Sequence, residues 1–507
     1  MGEGTVNCAR VGRCDPRLPG AGRCRYRAGM NATRLTAALA LLPALVLHGA
    51  QPPLALHPDN PHYFLWRGQP AVLITSGEHY GAVLNRDFDY RKYLDTLARD
   101  GLNLTRTFSG VYCEPPGAFN ITRNTLAPAP GRLICPWARS DQPGYHGGGN
   151  KFDLSRWDPE YFARLKDFMA HAATRGVVVE LNLFCPFYEE AMWELSPMNA
   201  RNNVNGVGAV ARTNVYTLDR HGGLLPFQET LVRQLVTALR DFDNLYYEIC
   251  NEPYFGGVTM AWQHRIADVI VEAERALGVR HLISMNIAND KAKVENPHPA
   301  VSIFNFHYAY PPDTVAMNYG LNKVIGDNET GFRGTNDLPY RVEAWSFLLA
   351  GGGLFNHLDY SFTVGHEDGT FVYPANQPGG GNPAFRRQMK ILGDFLRGFD
   401  FLRMKPEAAV VASGVPAGHR AYALAEPGRA YAIYVGRDSR DKNAPTGPQH
   451  PTLQLRLPAG EYAAEWVNPR TGQVDRRDTV RAAGELTPLA APVFEEDIAL
   501  RLRRTGP

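Results

Sequence analysis

The chain has 507 residues, of which 44% are hydrophobic and 11% aromatic, so it is long enough for one large domain and a second, smaller one. Its formal net charge of +2, without a basic run interleaved with aromatic residues, gives no reason to expect a nucleic-acid-binding protein.

The first 50 residues are typical of a leader segment. Residues 35–47 read LTAALALLPALVL, which is too short to span a bilayer but has the length of a signal-peptide core. Met30 is a candidate start, and cleavage is expected after Ala50 or Ala55. We therefore expect a leader at residues 1–50 and a mature protein that is secreted or periplasmic, without membrane insertion after cleavage. A buried apolar helix is the alternative interpretation.

The seven cysteines do not indicate a structural metal, because the sequence has no CxxC motif and no Cys/His set with zinc spacing. Cys113 and Cys135 lie in one long predicted loop and could pair in an oxidising compartment.

Short β-rich segments alternate with amphipathic helices over residues 51–405, which is typical of parallel β–α–β units. The predicted strands are Pro70–Gly81, Asn103–Gly110, Val177–Phe184, Asn244–Pro253, His281–Asn289, Val301–Tyr310, Lys323–Gly331 and Gly352–Phe362. The predicted helices are Asp87–Asp100, Asp158–Gly176, Phe227–Leu239, Thr259–Leu277 and Pro383–Leu396. Eight strands favour a (β/α)8 TIM barrel over an open doubly wound sheet, which would also need a Gly-rich phosphate loop that the sequence lacks.

The pattern changes at residues 406–507, where alternating apolar and polar residues are separated by turn residues. Four such runs are Arg429–Gly436, Thr452–Pro458, Glu461–Gly472 and Asp497–Arg504. This segment predicts a small antiparallel β-sandwich.

Two carboxylates stand at the predicted ends of opposing barrel strands. Strand 4 ends in Asn251-Glu252-Pro253, and strand 7 ends in a segment that contains Glu329. In an α/β barrel the catalytic groups sit at the carboxyl ends of the strands. A pair of carboxylates at that end is what cleavage of a glycosidic bond requires.

These segments carry a family resemblance. YEICNEP (residues 247–253) and IGDNETG (residues 325–331) resemble the strand-4 and strand-7 signatures of clan A retaining glycoside hydrolases, the group that contains the family 5 cellulases. The resemblance covers about residues 60–400. It implies that Glu252 is the acid/base, that Glu329 is the nucleophile, that Asn251 binds the sugar 2-hydroxyl, and that no cofactor is needed.

The resemblance also assigns Arg106 to orienting the nucleophile and His307 to the subsite that holds the cleaved sugar. The family usually has His-x-Tyr on strand 6, whereas here His307 is followed by Tyr308, Ala309 and Tyr310. Strand alternation places Ala309 on the face of His307. Either the chain bulges there or another residue supports the nucleophile. Tyr308 and Tyr310 are both candidate substrate contacts.

Strand 8 offers Asp359 and Tyr360, two candidate substrate contacts, where many members of the family carry a tryptophan. Together with strand 6, this difference argues against a plain cellulase specificity. Glu78 and His79 close strand 1 and Trp193 follows strand 3, so all three are candidate sugar contacts, with packing roles as the alternative.

Glu248 and Asp327 lie one step deeper than the proposed catalytic pair, and we expect them to be buried partners of cations such as Arg106. As a general acid, Glu252 is expected to have a raised pKa.

The sequence therefore predicts a retaining O-glycosidase that acts on a β-linked glycan or glycoside without a metal or cofactor. Its partner would be a carbohydrate substrate. One alternative is a non-catalytic extracellular protein that binds carbohydrate or matrix, since the sandwich, with Trp466 and the turn at residues 468–472, resembles accessory domains that include some named as collagen-binding. Another is a metal-dependent barrel hydrolase, although the histidines are scattered.

Overall fold

A computed structural model of the protein describes residues 51–506, which form one compact unit. The predicted leader, with its apolar core at residues 35–47 and the candidate start Met30, lies outside the described residues.

Eight parallel strands form a nearly closed barrel, so the predicted fold class is confirmed. We label them β1 to β8: Leu73–Gly77, Leu104–Phe108, Val178–Phe184, Leu245–Cys250, Leu282–Asn289, Val301–His307, Val324–Thr330 and Leu354–Leu358. The hydrogen-bonded order is β1-β8-β7-β6-β5-β4-β3-β2, which leaves β1 and β2 at the two ends of the sheet.

Asn103 joins these two ends. Its side-chain oxygen accepts from the Ile74 amide at 2.8 Å, and its Nδ2 donates to the Val72 carbonyl at 2.9 Å. Its own backbone amide donates to the Ile74 carbonyl at 3.3 Å. A side-chain amide therefore satisfies backbone groups of β1 where the ladder is interrupted.

Helices pack around the barrel, and we label the principal ones α1 to α7: Tyr90–Arg99, Pro159–Thr174, Leu225–Leu239, Met260–Leu277, Asp313–Asn318, Asp337–Leu349 and Pro383–Arg397. Another short helix spans Glu190–Leu195. Asp158 and Thr259 cap α2 and α4 by accepting from backbone amides of the first turn. Among residues 51–506, no helix is long and apolar enough to cross a bilayer.

The sequence did not predict α6. Ten of its 13 residues are buried, because it lies between the barrel and the sandwich, so the helix has no polar face to produce an amphipathic period. The long loop after β2 also contains an unpredicted two-stranded hairpin, Trp137–Pro143 with Asn150–Trp157. A three-stranded sheet at residues 55–71 packs its apolar side chains against the amino ends of the barrel strands.

Cys113 and Cys135 are buried free thiols, so the pairing that the sequence left open is not formed in this structure.

The C-terminal segment forms two antiparallel sheets. The six-stranded sheet contains Lys405–Pro406, His419–Glu426, Ala430–Arg437, Gly460–Val467, Val474–Ala482 and Asp497–Arg504. The smaller sheet contains Val411–Ser413, Thr452–Arg456 and Leu486–Ala490. The two sheets enclose their own apolar core around Ile433, Leu455 and Trp466.

The sandwich also shares buried side chains with the barrel. Tyr434 stacks on Trp345 of α6, with ring centroids 5.3 Å apart. Arg341 of α6 donates to Asp497 at 2.7 Å, and both side chains are almost fully buried. The division at residue 405 therefore stays a prediction, since independent folding of either part would expose this interface.

We predict that Arg341→Ala lowers the free energy of unfolding by about 3–5 kcal/mol, because the buried Asp497 is left without its cation. The midpoint of urea unfolding measures this change. Arg429→Ala removes an exposed arginine of the sandwich whose partner, Glu426, still has Arg403, so it should change the midpoint little. Equal midpoints for the two variants would contradict a structural role for the buried pair.

Candidate active site

A cavity of about 430 Å³ lies at the carboxyl end of the barrel, and residues at or after seven of the eight strands line it. Glu252 and Glu329 both face this cavity and are 8% and 6% exposed. Carboxylate oxygens of the two residues lie within 4.8 Å of each other, with an imidazole nitrogen of His307 inside the same distance. The structure therefore brings together the carboxylates that the sequence placed at opposing strand ends.

Three donors hold the carboxylate of Glu329. Tyr80 donates to Oε2 at 2.9 Å, and Arg106 donates to the same oxygen at 3.2 Å. Tyr308 donates to Oε1 at 2.7 Å. Both oxygens are therefore fixed in position, and the group cannot rotate without breaking a charge-assisted hydrogen bond.

The position of Tyr308 settles the choice that strand 6 left open. Strand β6 ends at His307, where the pairing with β7 shifts register. Tyr308 then adopts a left-handed conformation, with φ of +55°, and its amide donates to the Glu329 carbonyl at 2.9 Å. This bulge turns the Tyr308 ring inward. The prediction that Tyr310 contacts substrate is corrected, because Tyr310 is buried beside Asp438 of the sandwich and does not line the cavity.

Two arginines hold the carbonyl of Tyr308 from different parts of the fold. Arg333, after β7, and Arg440, from the sandwich, each donate to this oxygen at 3.2 Å. Arg440 also donates to Asp290, after β5, at 3.0 Å. The sandwich therefore supports the turn that aims Tyr308 at Glu329.

Glu252 accepts hydrogen bonds on both carboxylate oxygens. Tyr188 donates to Oε2 at 2.6 Å and Tyr254 to Oε1 at 3.3 Å, while His307 Nδ1 lies 3.1 Å from Oε1. Burial raises the pKa of Glu252, but the hydrogen bond and charge of His307, with the bond from Tyr188, outweigh burial and hold the pKa below its ordinary value. This direction is opposite to the raised pKa expected from the sequence.

Arg106 lies beneath the cavity and is buried. It donates to Asn251 at 2.7 Å, to Glu329 and, at very short range, to Glu248. Arg106 therefore does not line the cavity but fixes Asn251 and Glu329 relative to each other, which agrees with an orienting role rather than with direct sugar contact. Asn251 does face the cavity, and its Nδ2 donates to Tyr188 at 2.7 Å.

Glu248 is a partner of Arg106, as predicted, but Asp327 is not. Burial and the neighbouring carboxylate of Glu343 raise the pKa of Asp327, so it is expected to be protonated. Its neighbouring cation is Arg333.

Glu78 and His79 are adjacent in sequence but have different environments. His79 lines the cavity. Glu78 instead accepts from the amides of Gly81 and Ala82 at 2.9 and 3.0 Å and from the Thr125 hydroxyl at 2.6 Å. Burial raises the pKa of Glu78 to about 7. Its predicted sugar contact is corrected to a structural role that joins the loops after β1 and β2.

Two further sequence predictions are corrected by packing. Asp359 is fully enclosed and pairs with Arg386 at 2.7 Å. Trp193 is buried against Phe187, and its indole N–H donates to the Val210 carbonyl at 3.1 Å. Neither lines the cavity, because each polar group already has a protein partner.

Tyr360 does not line the cavity either, but it supports two residues that do. Its ring centroid lies 5.9 Å from that of His79 and 6.1 Å from that of Phe332. Tyr360 is therefore part of the wall behind the cavity.

Several site residues had no place in the sequence analysis, among them Tyr188, Tyr254, Glu114 and Asn289. Tyr188 lies four residues beyond the end of β3, in a loop outside the strand-end pattern that drew attention to Glu252. A survey of every polar or aromatic residue within about five positions of a predicted strand end would have found it, because in this fold the loops after the strands form the site.

The arrangement of Glu252, His307 and Glu329 could also bind a divalent cation, since the three side chains offer ligand atoms close together. Their oxygens, however, already accept from Tyr80, Tyr188 and other donors, and the buried guanidinium of Arg106 lies 3.2 Å from Glu329. These donors compete for the lone pairs that a cation would use.

A model of a known protein family matches the part of the chain that contains Glu252 and Glu329. Residues 131–342, which contain both carboxylates, match the family model of cellulase (glycosyl hydrolase family 5). No curated protein sequence matches the chain.

Solved structures share the fold over most of the chain. A candidate glycoside hydrolase from Bacteroides vulgatus ATCC 8482 is similar with a TM-score of 0.63 and 13% identity, over 90% of this chain and 83% of that one. A glycoside hydrolase of family 5 from the same organism is similar with a TM-score of 0.58 and 15% identity, over 89% of this chain and 94% of that one.

We predict that Arg106→Ala is strongly destabilising at neutral pH, by about 3–5 kcal/mol, and less so at pH 5. Burial raises the pKa of Glu248, but the charge of Arg106 and hydrogen bonds from neighbouring side chains, Asn305 among them, together outweigh burial and hold this pKa below its ordinary value. In the wild type, the contribution of Glu248 to stability is present above its unfolded pKa and is lost as pH falls through its folded pKa.

Without Arg106, the pKa of the buried Glu248 should rise. Protonation between pH 7 and pH 5 then recovers part of the lost stability of the variant. Urea midpoints at the two pH values measure this, with Arg201→Ala, which removes an exposed pair with Glu194, as the control. The same loss at both pH values would show that Arg106 does not act through the charge of Glu248.

Proposed function

We propose that this glycoside hydrolase retains the configuration of its substrate and cleaves a β-linked glycan or glycoside by double displacement. The observation that carries the proposal is the separation of the two carboxylates, whose nearest ligand oxygens lie within 4.8 Å. Retaining enzymes hold their carboxyl groups about 5–5.5 Å apart, whereas inverting enzymes need roughly 6.5–9.5 Å to admit a water molecule.

In the first step, Glu252 transfers its proton to the departing oxygen while a carboxylate oxygen of Glu329 bonds to the anomeric carbon and the glycosidic bond breaks. In the second step, Glu252 removes a proton from water, the water oxygen bonds to the anomeric carbon, and Glu329 is released as a carboxylate. Tyr80, Arg106 and Tyr308 stabilise the charge that returns to Glu329.

The roles of the surrounding residues follow from their contacts. Asn251 is held between Arg106 and Tyr188 with its amide at the cavity, a placement that supports binding of the sugar 2-hydroxyl. His307 touches both catalytic carboxylates and lies behind them rather than in the cavity. We assign it to setting the protonation of Glu252.

The proposal includes export, on the basis of the apolar segment at residues 35–47. It also includes an accessory role for the sandwich, whose Arg440 supports the strand-6 turn. The resemblance supports β-linked substrates.

Substitution of Glu329 and of Glu252 should impair hydrolysis in different ways. Glu329→Ala removes the nucleophile, so kcat on every substrate should fall by about a thousandfold or more. Glu252→Ala removes the proton donor, so the loss should be severe for alkyl glycosides and mild for aryl glycosides with activated leaving groups. Steady-state kinetics on both substrate types, with Glu189→Ala at an exposed position beside Tyr188 as a control, measures the contrast.

Added azide distinguishes the roles by product configuration. With Glu329→Ala it should give a glycosyl azide of inverted configuration, and with Glu252→Ala one of retained configuration. Wild-type enzyme that hydrolyses no glycoside would favour the non-catalytic binding protein. Activity that is lost with a chelator and restored by a divalent cation would favour the metal-dependent hydrolase.

The lowered pKa of Glu252 predicts an acidic optimum. The proton donor is lost as pH rises through its pKa, so kcat/KM on an alkyl glycoside should fall already in the acidic range. In His307→Ala the hydrogen bond and the charge that lower the pKa of Glu252 are lost, while burial remains. The alkaline limb of the pH profile of kcat/KM should therefore move to higher pH by about one unit. Glu252→Gln should remove the limb. A limb that stays in place in His307→Ala would contradict the role of His307.

A further inference from the structure

The acid/base residue defines which side of the cavity receives the leaving group. Glu252 protonates the departing oxygen, so the leaving group lies on the side of β4, beside Tyr254 and Phe255. The retained sugar and anything attached to it must lie on the opposite side. In an eight-stranded barrel β4 faces β8, so that side is the wall above β8, β1 and β2.

Two phenylalanines close this side. Phe119, from the loop after β2, and Phe332, from the loop after β7, meet with ring centroids 6.4 Å apart. Phe119 also contacts Tyr188 at 5.4 Å, and Phe332 contacts Tyr360 at 6.1 Å. The two rings therefore join the loops after β2 and β7, and a polymer chain that continued over β8 and β1 would have to displace them.

The backbone around Phe119 is held in a costly conformation. Phe119 and Asn120 have φ of +54° and +60°, a region that bulky side chains rarely adopt. The loop is tied to the segment after β8 by the Thr122 amide, which donates to the buried Gln377 side chain at 3.1 Å. Strained residues persist where surrounding structure enforces them, and they concentrate at ligand-binding sites.

Polar groups at this end of the cavity suit the hydroxyls of one sugar. His79 is 8% exposed, and neither of its ring nitrogens has a hydrogen-bond partner within residues 51–506. Glu114 lies 3.7 Å from His79 Nε2 and is itself held by Tyr112 at 3.0 Å. Both residues line the cavity. A sugar hydroxyl would supply the partner that His79 lacks, and Glu114, which already accepts from Tyr112 and Asn124, presents its carboxylate beside it.

The size of the cavity agrees with a short ligand. Its 430 Å³ lies in the lower part of the roughly 300–1,000 Å³ range of small-molecule pockets.

We propose that the enzyme is exo-acting and accepts a single sugar on the non-leaving side, with Phe119 and Phe332 as the barrier and His79 and Glu114 as the polar end that recognises the terminal sugar. The inference rests on the proposed retaining glycosidase function and deepens it. It assigns these four residues to specificity rather than to bond cleavage.

The test compares 4-nitrophenyl β-glycosides that carry one sugar or two identical β-linked sugars, after a panel of monosaccharide glycosides has identified the preferred sugar. For direct release of 4-nitrophenol, measured as an initial rate, the wild type should prefer the single-sugar substrate in kcat/KM by about 100-fold or more, because the second sugar meets the phenylalanine barrier. Chromatography of products from an oligosaccharide of that sugar should show release of the monosaccharide alone.

Phe119→Ala and Phe332→Ala should raise the two-sugar to one-sugar ratio of kcat/KM by about tenfold. Both residues are 38% exposed, so neither truncation opens a buried cavity. The control is Phe255→Ala, on the leaving-group side and 44% exposed, which should change both substrates alike.

The outcomes separate the two proposals. Equal wild-type activity on both substrates, or release of oligosaccharides from within a chain, overturns exo action and leaves the glycosidase intact. An unchanged ratio in both barrier variants overturns the role of the two phenylalanines. Failure to hydrolyse any glycoside of the panel overturns the proposed function and the inference with it.

Discussion

The buried guanidinium of Arg106 is the constraint on which the site depends. It donates at once to Glu329 and Asn251, which face the cavity, and to Glu248 below them. A cation in the barrel interior is tolerated only where carboxylates compensate it, and carboxylates converge there only if several strands present them at the same depth. The position of Glu329, the proposed nucleophile, is therefore set by this buried network of charges inside the barrel and not by the loop that follows β7.

Much of the fold could be predicted because its signals are local. Strand β3 and helix α2 were bounded to within two residues, since Asp158 caps the helix and a run of β-branched residues defines the strand. The two proposed catalytic glutamates could be found for the same reason, since Glu329 lies at the end of β7 and Glu252 is two residues beyond the end of β4. Helix α6 escaped prediction, because burial on all sides removes the amphipathic pattern that identifies a helix.

The rest of the site could not be derived from alternation. Tyr308 reaches Glu329 only because the pairing of β6 with β7 shifts register there. Nothing in the amino-acid sequence distinguishes that bulge from a regular strand. Glu78 and Asp359 were candidates because they end strands, yet each is satisfied by protein donors. Whether a polar side chain faces ligand or protein depends on loops distant in sequence, and that information appears only in three dimensions.

The carbonyl of Tyr308, shared by Arg333 of the barrel and Arg440 of the sandwich, has a consequence for how such proteins diversify. A C-terminal module that merely tethers an enzyme can be exchanged by recombination as a cassette. Here an incoming module would also need an arginine that reaches the carbonyl of Tyr308 and a surface that fits α6. We therefore expect the barrel and the sandwich of this protein to evolve together rather than to be exchanged separately.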